Sequence, residues 1–532
     1  MNVARLFARH AGPRGGEPAL ALGTRPVADW RTLCERAARR GEALVRTFRL
    51  ARGDRVALFA RNRPEYLELL LACWWAGLVP VPVNARLHPE ELAWILAHSG
   101  ARLLAVSEDL AGPAGRPEVP GLRAVLVLGG REWARLATGE AGPPAEVEGD
   151  EVAWLFYTSG TTGRPKGATI THRNLRAMVW AYGIDVDRPR AGDAIVHAAP
   201  LSHGSGLYAL PLAAVGGVQV IPESGGFDPV EVTALWRAWR GVRMFAAPTM
   251  VRRLVRAVRE GAGEVGHLET LVYGGAPMYR ADLDEAHAVL GFRLAQIYGQ
   301  GESPMTITAM DRDMHRRFAA DPALAHRLES AGVPQVVCRV EVWDTDGRPR
   351  PPGEIGEIVV RGPSVVPGYW RDPEATRRTM GDGWLRTGDL GCFDADGFLY
   401  IKDRAKDLII SGGANIYPRE VEEVLLRHPA VREVAVVGLP DREWGERVVA
   451  CVVAAPGTTA AELERHCLEH MARYKRPRRW VFLDALPKSA YGKILKRELR
   501  ARLLASGEGG GETGGEGRRG DQQPHGQHPH GE

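Results

Sequence analysis

Lysine is scarce in this chain of 532 residues, because only seven of its 69 lysines and arginines are lysine. We attribute the excess of arginine to codon bias. Each remaining lysine then marks a position where arginine would be a poor substitute, since a compact ammonium differs from a planar guanidinium. One lysine lies in a glycine-rich segment and six lie beyond residue 400. The seven are Lys166, Lys402, Lys406, Lys475, Lys488, Lys493 and Lys496.

Cysteines and long apolar runs are also few. The six cysteines are scattered without a CxxC pair, so neither a disulfide framework nor a zinc site is predicted, and a reducing cytoplasm suits the chain. The N-terminus has no apolar core long enough for a signal peptide. The most apolar stretch, residues 69–83, is broken by Gly77, Pro80 and Pro82. A membrane span needs about 20 apolar residues, so we expect a cytoplasmic protein without one.

No segment is strongly basic apart from residues 476–479, and the formal net charge is only +4. Nucleic-acid binding is therefore not predicted. Hydrophobic residues make up 45% and charged residues 25% of the chain, as in an ordinary globular protein. Because single cores stop growing near roughly 250–300 residues, the length predicts one large domain and one small one.

The pattern along the chain predicts where these domains lie. Residues 1–403 alternate helical stretches with short β-branched runs, which predicts a large α/β domain of several subdomains. Residues 404–505 read as helix, two strands and helix, typical of a small α+β domain, with a hinge near Lys406. Residues 506–532 have almost no apolar side chains, so we expect a disordered Gly/His-rich tail.

The strongest local signal is a segment rich in glycines and hydroxyl groups that follows a strand-like run. It consists of Tyr157, Thr158, Ser159, Gly160, Thr161, Thr162, Gly163, Arg164, Pro165, Lys166 and Gly167. Glycines let backbone N–H groups approach phosphate oxygens, the hydroxyls add donors, and the lysine adds charge. A Walker A loop is disfavoured, because Pro165 replaces its second glycine and Gly167 its magnesium-binding hydroxyl. The segment predicts a polyphosphate ligand outside the kinase and GTPase classes.

Further segments follow in a fixed order. They are Pro200-Leu201-Ser202-His203-Gly204, Tyr273-Gly274-Gly275-Ala276-Pro277, Tyr298-Gly299-Gln300-Gly301-Glu302, Thr387-Gly388-Asp389, the run from Asp403 to Asn415, and the run from Pro487 to Lys493. Together with the phosphate segment, they resemble the signatures of the adenylate-forming superfamily, which includes acyl-CoA synthetases, aryl-CoA ligases, adenylation domains of peptide synthetases and beetle luciferases. The resemblance extends from about residue 5 to residue 503.

The resemblance implies an ATP-dependent acid-activating ligase that forms an acyl adenylate and passes the acyl group to coenzyme A. It implies that Thr158, Ser159, Gly160, Thr161, Thr162, Gly163 and Lys166 hold the phosphates, and that Glu302, with Thr162, holds Mg²⁺. The implied adenosine-binding residues are Gly275, Ala276, Tyr298, Gly299, Gln300, Asp389 and Arg404. Attack of a carboxylate on a phosphate requires that phosphate charge be neutralised and the reacting oxygens be held in line.

Other residues have implied roles in catalysis, in the acid pocket and in the small domain. Lys493 would bridge the carboxylate and the α-phosphate, and is with Glu302 the implied catalytic residue. His203, Gly204 and Gly274 would line the acid pocket. The implied hinge and coenzyme A passage consist of Lys406, Gly412, Gly413 and Lys475.

The sequence leaves the acid and the acceptor open. We expect a medium- or long-chain fatty acid, with an aryl acid as the alternative. Transfer to a carrier protein and a non-catalytic acyl-adenylate-binding protein are the rival functions, and a homodimer is left open. One position departs from the family pattern: Gly301 stands where the family has threonine, which removes a hydroxyl group. Ser303 is a candidate replacement for it.

Overall fold

The computed structural model describes residues 1–114, 118–158, 164–276, 278–488 and 494–506. It divides into two compact units. The large unit consists of residues 1–408 and 488–494, and the small unit of residues 409–487 and the chain from residue 495. This division falls after Leu408, whereas the sequence predicts a boundary after Asp403 and a hinge near Lys406.

The large unit is a layered α/β structure. Its strands are β1 (Pro18–Leu22), β2 (Arg25–Asp29), β3 (Arg55–Phe59), β4 (Val79–Val83), β5 (Ala101–Val106), β6 (Ala124–Val127), β7 (Val152–Thr158), β8 (Lys166–Thr171), β9 (Ala194–Val196), β10 (Val218–Ile221), β11 (Val242–Ala246), β12 (Leu268–Tyr273), β13 (Leu294–Gln300), β14 (Ser303–Met310), β15 (Val333–Pro334), β16 (Arg339–Trp343), β17 (Gly356–Arg361), β18 (Leu385–Phe393) and β19 (Leu399–Arg404).

Helices cover these sheets. They are α1 (Arg5–Ala8), α2 (Trp30–Phe48), α3 (Pro64–Trp75), α4 (Pro89–Ser99), α5 (Glu108–Ala114), α6 (Arg131–Arg135), α7 (His172–Ala181), α8 (Gly204–Leu207), α9 (Ala209–Val215), α10 (Pro229–Ala238), α11 (Pro248–Arg259), α12 (Arg280–Leu290), α13 (Arg312–Ala320) and α14 (Pro373–Met380). A π-helical turn, Tyr182–Val186, continues α7, and 3₁₀ turns occur at Ala325–Glu329 and Ala405–Asp407. No helix in the described ranges is long and apolar enough to cross a membrane.

The largest sheet in the described part of the large unit has nine strands, in the order β15-β14-β13-β12-β11-β9-β10-β1-β2. Its inner strands from β13 to β1 are parallel, while β2, β14 and β15 join antiparallel at the edges. In open parallel sheets, ligands bind beyond the carboxyl ends of the strands. The loop after β12 carries the segment that begins at Tyr273, and the end of β13 carries the segment that begins at Tyr298. Both lie at that edge.

Smaller sheets complete the large unit. A parallel sheet has the order β4-β3-β5-β6, β7 pairs with β8, and an antiparallel sheet has the order β16-β17-β18-β19. Strands β4 and β5 are almost wholly buried apolar runs, which is typical of parallel strands covered on both faces. The apolar stretch at residues 69–83 is part of helix α3 followed by strand β4, as the proline and glycine interruptions predict.

The small unit is an α+β structure. Its elements are β20 (Ile409–Ser411), β21 (Ala414–Ile416), α15 (Pro418–Leu426), β22 (Val431–Asp441), β23 (Gly445–Ala454), α16 (Ala460–His470), β24 (Arg479–Phe482) and α17 (Lys496–Ala505), with a 3₁₀ turn at Arg473–Lys475. Its core is formed by inward-facing residues of β22 and β23 that pack against α15 and α16. It includes Val436 and Val448 from the strands and Val421 and Leu463 from the helices. The α/β fold class with a small α+β unit, predicted from the sequence, is confirmed.

Candidate functional site

Asp389 is the centre of a buried polar cluster in strand β18. The Tyr298 hydroxyl donates to Asp389 Oδ2 at 2.6 Å, and Gln300 Nε2 donates to the same oxygen at 2.7 Å. Arg404 Nε lies 3.1 Å from the other oxygen, Oδ1. Because β18 pairs antiparallel with β19, Asp389 is directly opposite Arg404. The cluster therefore joins residues from three separate sequence motifs and two sheets.

The electrostatics of this cluster follow from burial. Asp389 is 5% exposed, and its carboxylate faces a guanidinium and two neutral donors. Burial, and next the Asp389 carboxylate, raise the pKa of Tyr298 well above its ordinary value, so Tyr298 stays a neutral hydrogen-bond donor at physiological pH. Gln300 is held further by a bond of 3.0 Å from Nε2 to the Thr387 carbonyl. Tyr298, Gln300 and Arg404 therefore fix the position of the Asp389 carboxylate.

A second polar cluster contains Glu302 and Tyr369. The Tyr369 hydroxyl donates to Glu302 Oε1 at 2.6 Å, and Glu302 is only 9% exposed. Burial, followed by the Glu302 charge, raises the pKa of Tyr369. Lys166 Nζ lies 5.1 Å from the centroid of the Tyr369 ring, within the range of a cation–π contact. Tyr369 thus connects the lysine of the phosphate segment with the candidate metal ligand.

Strand β8 positions Tyr369 through backbone contacts with residues 368–370. Thr169 donates to the Gly368 carbonyl from its backbone N at 3.0 Å and from its hydroxyl at 2.7 Å. Trp370 N donates to the Gly167 carbonyl at 2.8 Å. The loop therefore continues the pairing edge of β8, and the Tyr369 ring is placed beside the lysine at the start of that strand.

Gly301 packs against strand β7. A Cβ atom at Gly301 would lie 2.6 Å from Thr158 Cγ2 and 2.9 Å from Phe156 Cδ1, closer than real contacts allow. The candidate replacement, Ser303, is fully buried, and its hydroxyl contacts the Thr306 hydroxyl at 2.9 Å. Ser303 therefore does not supply the missing hydroxyl group, because its side chain faces the interior.

His203 and Gly204 lie at the start of α8, next to strands β7 and β11. The His203 ring contacts the Phe156 ring edge-on, with centroids 4.9 Å apart. Burial lowers the pKa of His203 to about 3, so its imidazole is neutral at physiological pH. A Cβ atom at Gly204 would lie 2.7 Å from Phe245 Cε1 and 2.9 Å from Met305 Cε. The glycine therefore allows Phe245 and Met305, both partly exposed, to approach the helix.

Gly274 and Gly299, at the carboxyl edge of the nine-stranded sheet, lie so close to neighbouring backbone that a side chain would not fit. A Cβ atom at Gly274 would lie 2.6 Å from the Ile297 carbonyl oxygen, and one at Gly299 would lie 2.7 Å from Met305 N. Met305 has a φ of 64°, a left-handed conformation that costs free energy for a non-glycine residue and is often found at functional sites. Gly275 and Ala276 follow β12 and are exposed.

The candidate residues of the hinge and the small unit lie in turns. Lys406 lies in the 3₁₀ turn Ala405–Asp407 of the large unit. Gly412 and Gly413 connect β20 to β21 with φ angles of 59° and 76°, which favour glycine. Lys475 forms an ion pair with Glu420.

Comparisons with known proteins show the family of the chain. The family model described as AMP-binding enzyme matches residues 7–370, and that of the AMP-binding enzyme C-terminal domain matches residues 420–493. The chain is 40% identical over 461 residues to a feruloyl-CoA synthase of Amycolatopsis sp, which covers 85% of this chain and 89% of that protein. The chain belongs to the AMP-binding enzyme family.

Two further similarities show the range of this AMP-binding family. The chain is 36% identical over 466 residues to the fatty acid–[acyl-carrier-protein] ligase ScoC of Streptomyces coeruleorubidus, with 85% of this chain and 88% of ScoC covered. The solved structure of ATP-bound MatB from Rhodopseudomonas palustris superposes with a TM-score of 0.83 at 30% identity, over 94% of this chain and 99% of MatB. The predicted enzyme class, an AMP-forming ligase of the adenylate-forming superfamily, is confirmed.

Several residues implied by the AMP-binding signatures lie outside the described part of the chain. They are Ser159, Gly160, Thr161, Thr162, Gly163, Pro277 and Lys493. The described structure brings Tyr298, Gln300, Asp389 and Arg404 into one cluster, and Glu302 and Lys166 into contact with Tyr369. Tyr369 was not predicted from the sequence, since its motif-free segment reaches the site through pairing with β8 and through a bond of 2.9 Å from Val366 N to the Glu302 carbonyl.

Proposed function

We propose that this family member is an ATP-dependent acid–CoA ligase that works in two steps. First, a carboxylate oxygen of the acid attacks the α-phosphorus of ATP, the bond to the β-phosphate oxygen breaks, and pyrophosphate leaves as the acyl adenylate forms. Then the thiolate of coenzyme A attacks the acyl carbon, AMP leaves with the bridging oxygen, and the thioester remains. The thiol proton passes to solvent or to the departing phosphate.

The Asp389 cluster is the observation that carries this proposal. Its carboxylate is buried and oriented by Tyr298, Gln300 and Arg404, so it can accept the two ribose hydroxyls of ATP. Arg404 would balance the charge. Holding the nucleotide by its ribose orients the α-phosphate toward the acid, which lowers the entropy cost of the first step.

Glu302 fits a magnesium ion bound through ATP phosphates. One carboxylate oxygen accepts from Tyr369, which orients the group and leaves the other oxygen for a hard cation. In the described ranges, no cluster of three or more His, Cys, Asp or Glu side chains could hold a metal ion. Mg²⁺ is commonly bound through one or two carboxylates plus substrate phosphates. When bound, the ion would neutralise phosphate charge.

Two lysines would balance the remaining charge. Lys166 would contact the β- and γ-phosphates together with Thr158 and the hydroxyls of Ser159, Thr161 and Thr162. Lys493 would follow the negative charge that develops between the carboxylate and the α-phosphate, because a mobile ammonium can bind both groups. In a chain with seven lysines, their retention in these two motifs supports both roles.

The second step would use the small unit. We propose that Lys406 marks the hinge, that Gly412 and Gly413 border the pantetheine passage, and that Lys475 lies near the coenzyme A phosphates. A Cβ atom at Gly413 would meet no atom within 4 Å, which leaves room for a thin ligand, whereas one at Gly412 would lie 2.9 Å from the Trp444 ring. The small unit would rotate about this hinge between the two steps, since a hinge absorbs a change of backbone angles without taking part in the chemistry.

For the acid, we propose an aryl acid in place of the fatty acid predicted from the sequence. Phe245 and Met305 meet at Gly204, and buried aromatic rings lie behind them. A surface formed by these side chains would fit a short, flat acid better than a long alkyl chain. The names of the relatives include both classes, since one is a feruloyl-CoA synthase and another a fatty acid ligase.

Product analysis tests the proposal. The protein is incubated with ATP, Mg²⁺ and a panel of aryl and alkyl acids, from acetic to palmitic acid, with and without coenzyme A. AMP, pyrophosphate and thioester are measured for the wild type and Lys493→Ala. We expect the wild type to form one AMP for each thioester. In Lys493→Ala we expect the formation of both products to be lost. Adenylate without thioester would favour a carrier-protein acceptor. ATP binding without turnover on any acid would favour a non-catalytic acyl-adenylate-binding protein.

A further inference from the structure

The side chain of Asn62 connects two sheets of the large unit. Asn62 follows β3, an inner strand of the parallel sheet β4-β3-β5-β6, and is 7% exposed. Its Nδ2 donates to the His197 carbonyl at 2.7 Å and to the Ala199 carbonyl at 2.8 Å, and its Oδ1 accepts from Leu201 N at 2.9 Å. Residues 197–203 connect strand β9 of the nine-stranded sheet to helix α8. Asn62 therefore holds a loop that belongs to the other sheet.

The three bonds need an amide at position 62. They use both N–H groups and the oxygen of the side chain, a combination that a carboxylate or an apolar side chain does not offer. The backbone of Asn62 is closely packed too, since a Cβ atom at Gly225 would lie 2.8 Å from its carbonyl oxygen. Asn62 is therefore a fixed point for the loop of residues 197–203.

The same loop is also bound within its own sheet. His197 is fully buried, and its Nε2 donates to Gln219 Oε1 at 2.9 Å, while its Nδ1 accepts from the Ser205 hydroxyl at 2.8 Å. Gln219 lies in β10 and Ser205 in α8. His197 thus fixes the loop relative to the nine-stranded sheet, and Asn62 fixes it relative to the sheet that contains β3.

The position of Leu201 is transmitted to the residues that would line the acid pocket. A Cβ atom at Gly206 would lie 1.9 Å from the Leu201 carbonyl oxygen, so helix α8 packs directly on Leu201. Helix α8 begins at Gly204, which lies against the Phe245 ring. A shift of Leu201 away from Asn62 would therefore move Gly204 as well.

The sheet that contains β3 also packs against the strand that leads into the phosphate segment. Leu155 and Tyr157 of β7 share a hydrophobic core with Phe59 of β3 and Val83 of β4. The phosphate segment begins at Tyr157. By joining β3 to the loop of residues 197–203, the Asn62 side chain links the layer that carries the phosphate segment to the loop that carries the acid-pocket residues.

We propose that Asn62 is a positioning residue for adenylation, whose amide sets where the loop of residues 197–203 lies relative to the phosphate segment. The acid carboxylate would thereby be held in line with the α-phosphate. The inference rests on the proposed acid–CoA ligase function and adds a residue to that same site. A displacement of about 1 Å, caused by a substitution far from the reacting atoms, can reduce the rate about 100-fold.

The test replaces the Asn62 amide by a carboxyl group of nearly the same size. In Asn62→Asp an oxygen would face the carbonyls of His197 and Ala199, so we expect kcat/KM for the acid to fall about 10–100-fold. It is measured at saturating ATP with the acid of highest rate in the panel. The Kd for ATP without acid should stay unchanged, because Asp389 and its partners lie in β13, β18 and β19.

Asn2→Asp is the matched control in the same unit. Asn2 is 1% exposed, its Nδ2 donates to the carbonyls of Trp74 and Ala145, and its Oδ1 accepts from Ala4 N. The two substitutions therefore disturb the same pattern of buried bonds. Both should lower the Tm, whereas only Asn62→Asp should lower kcat/KM for the acid.

Asn62→Ala and Asn2→Ala repeat the comparison without a buried carboxylate, in case the aspartate variants do not fold. An unchanged kcat/KM for the acid in a folded Asn62 variant would overturn the inference. An equal fall in the Asn62 and Asn2 variants, or a parallel loss of ATP binding, would show a purely structural role and overturn it too. Absence of adenylate and thioester with every acid for the wild type would instead overturn the proposed function.

Discussion

At the scale of single residues, Asp389 shows how much one carboxylate organises. It accepts from Tyr298 and Gln300 on one oxygen and faces Arg404 on the other. Three motifs that are far apart in sequence therefore meet at one side chain. We expect the geometry of the Asp389 cluster to depend on the charge of the carboxylate as well as on its shape.

Asp389→Asn tests the charge directly. The amide turns one acceptor oxygen into a donor that faces other donors, and hydrogen bonds to a charged group are worth about 1.5–3 kcal/mol. We expect the Kd for ATP to rise about ten- to hundredfold, as measured by isothermal titration calorimetry. Asp346→Asn, in an exposed turn, is the matched control. An unchanged Kd for ATP would show that Asp389 does not contact the nucleotide.

Tyr369→Phe tests the link between Tyr369 and Glu302. The variant keeps the ring beside Lys166 and removes the donor that orients the carboxylate. Loss of such a supporting partner usually costs about 10–100-fold in metal affinity or activity. We expect the Mg²⁺ concentration for half-maximal pyrophosphate release to rise by about tenfold, with Tyr400→Phe as the control. A lower rate at an unchanged Mg²⁺ requirement would contradict an effect through Glu302.

At the scale of elements, the turn between β13 and β14 packs tightly against the end of β7. Gly301 leaves no room for a side chain beside Thr158 and Phe156. The glycine that departs from the family pattern is therefore part of this packing.

Restoring a side chain at this position should be harmful. We expect Gly301→Ala to lower stability by about 1–3 kcal/mol through overpacking and to raise the KM for ATP. The double variant Gly301→Ala with Thr158→Ser removes the Thr158 methyl group and should recover part of that loss, measured by urea unfolding, while the close approach to Phe156 Cδ1 remains. If the two substitutions prove additive, the contact between positions 301 and 158 is not the cause.

The same elements show what the sequence can and cannot predict. The motifs around Tyr298, Glu302 and Asp389 identify candidate residues because each motif is short and local. The proximity of Tyr369 to Glu302 depends on pairing between residues 368–370 and β8, which no local pattern specifies. The inward orientation of Ser303 has a similar cause, because its direction depends on strand register.

At the scale of the whole molecule, several histidines are buried in the neutral form. Burial lowers the pKa of His315 to about 3 and those of His172 and His197 to about 4. His315 is fully buried, with His287 as a ring neighbour at 5.2 Å. Unfolding would expose each imidazole to water and restore an ordinary pKa near 6.5.

These histidines predict a loss of stability in weak acid. The unfolded chain takes up protons below about pH 6.5 that the native protein excludes, so the free energy of unfolding falls as pH falls. One fully buried histidine accounts for about 2 kcal/mol at pH 5. His315→Leu should flatten the dependence between pH 7 and pH 5 by about that amount, measured by urea unfolding, whereas His326→Leu should not. An equal slope in both variants would contradict protonation of His315 as a cause.

The most direct test of the acid–CoA ligase account follows the oxygen that the acyl adenylate transfers. The acid with the highest rate in the panel is labelled with ¹⁸O in both carboxylate oxygens and incubated with ATP, Mg²⁺ and coenzyme A, and the nucleotide products are analysed by mass spectrometry. Attack on the α-phosphorus predicts AMP that carries one ¹⁸O atom, together with unlabelled pyrophosphate. Formation of ADP with label in inorganic phosphate, or of unlabelled AMP, would contradict an acyl-adenylate intermediate.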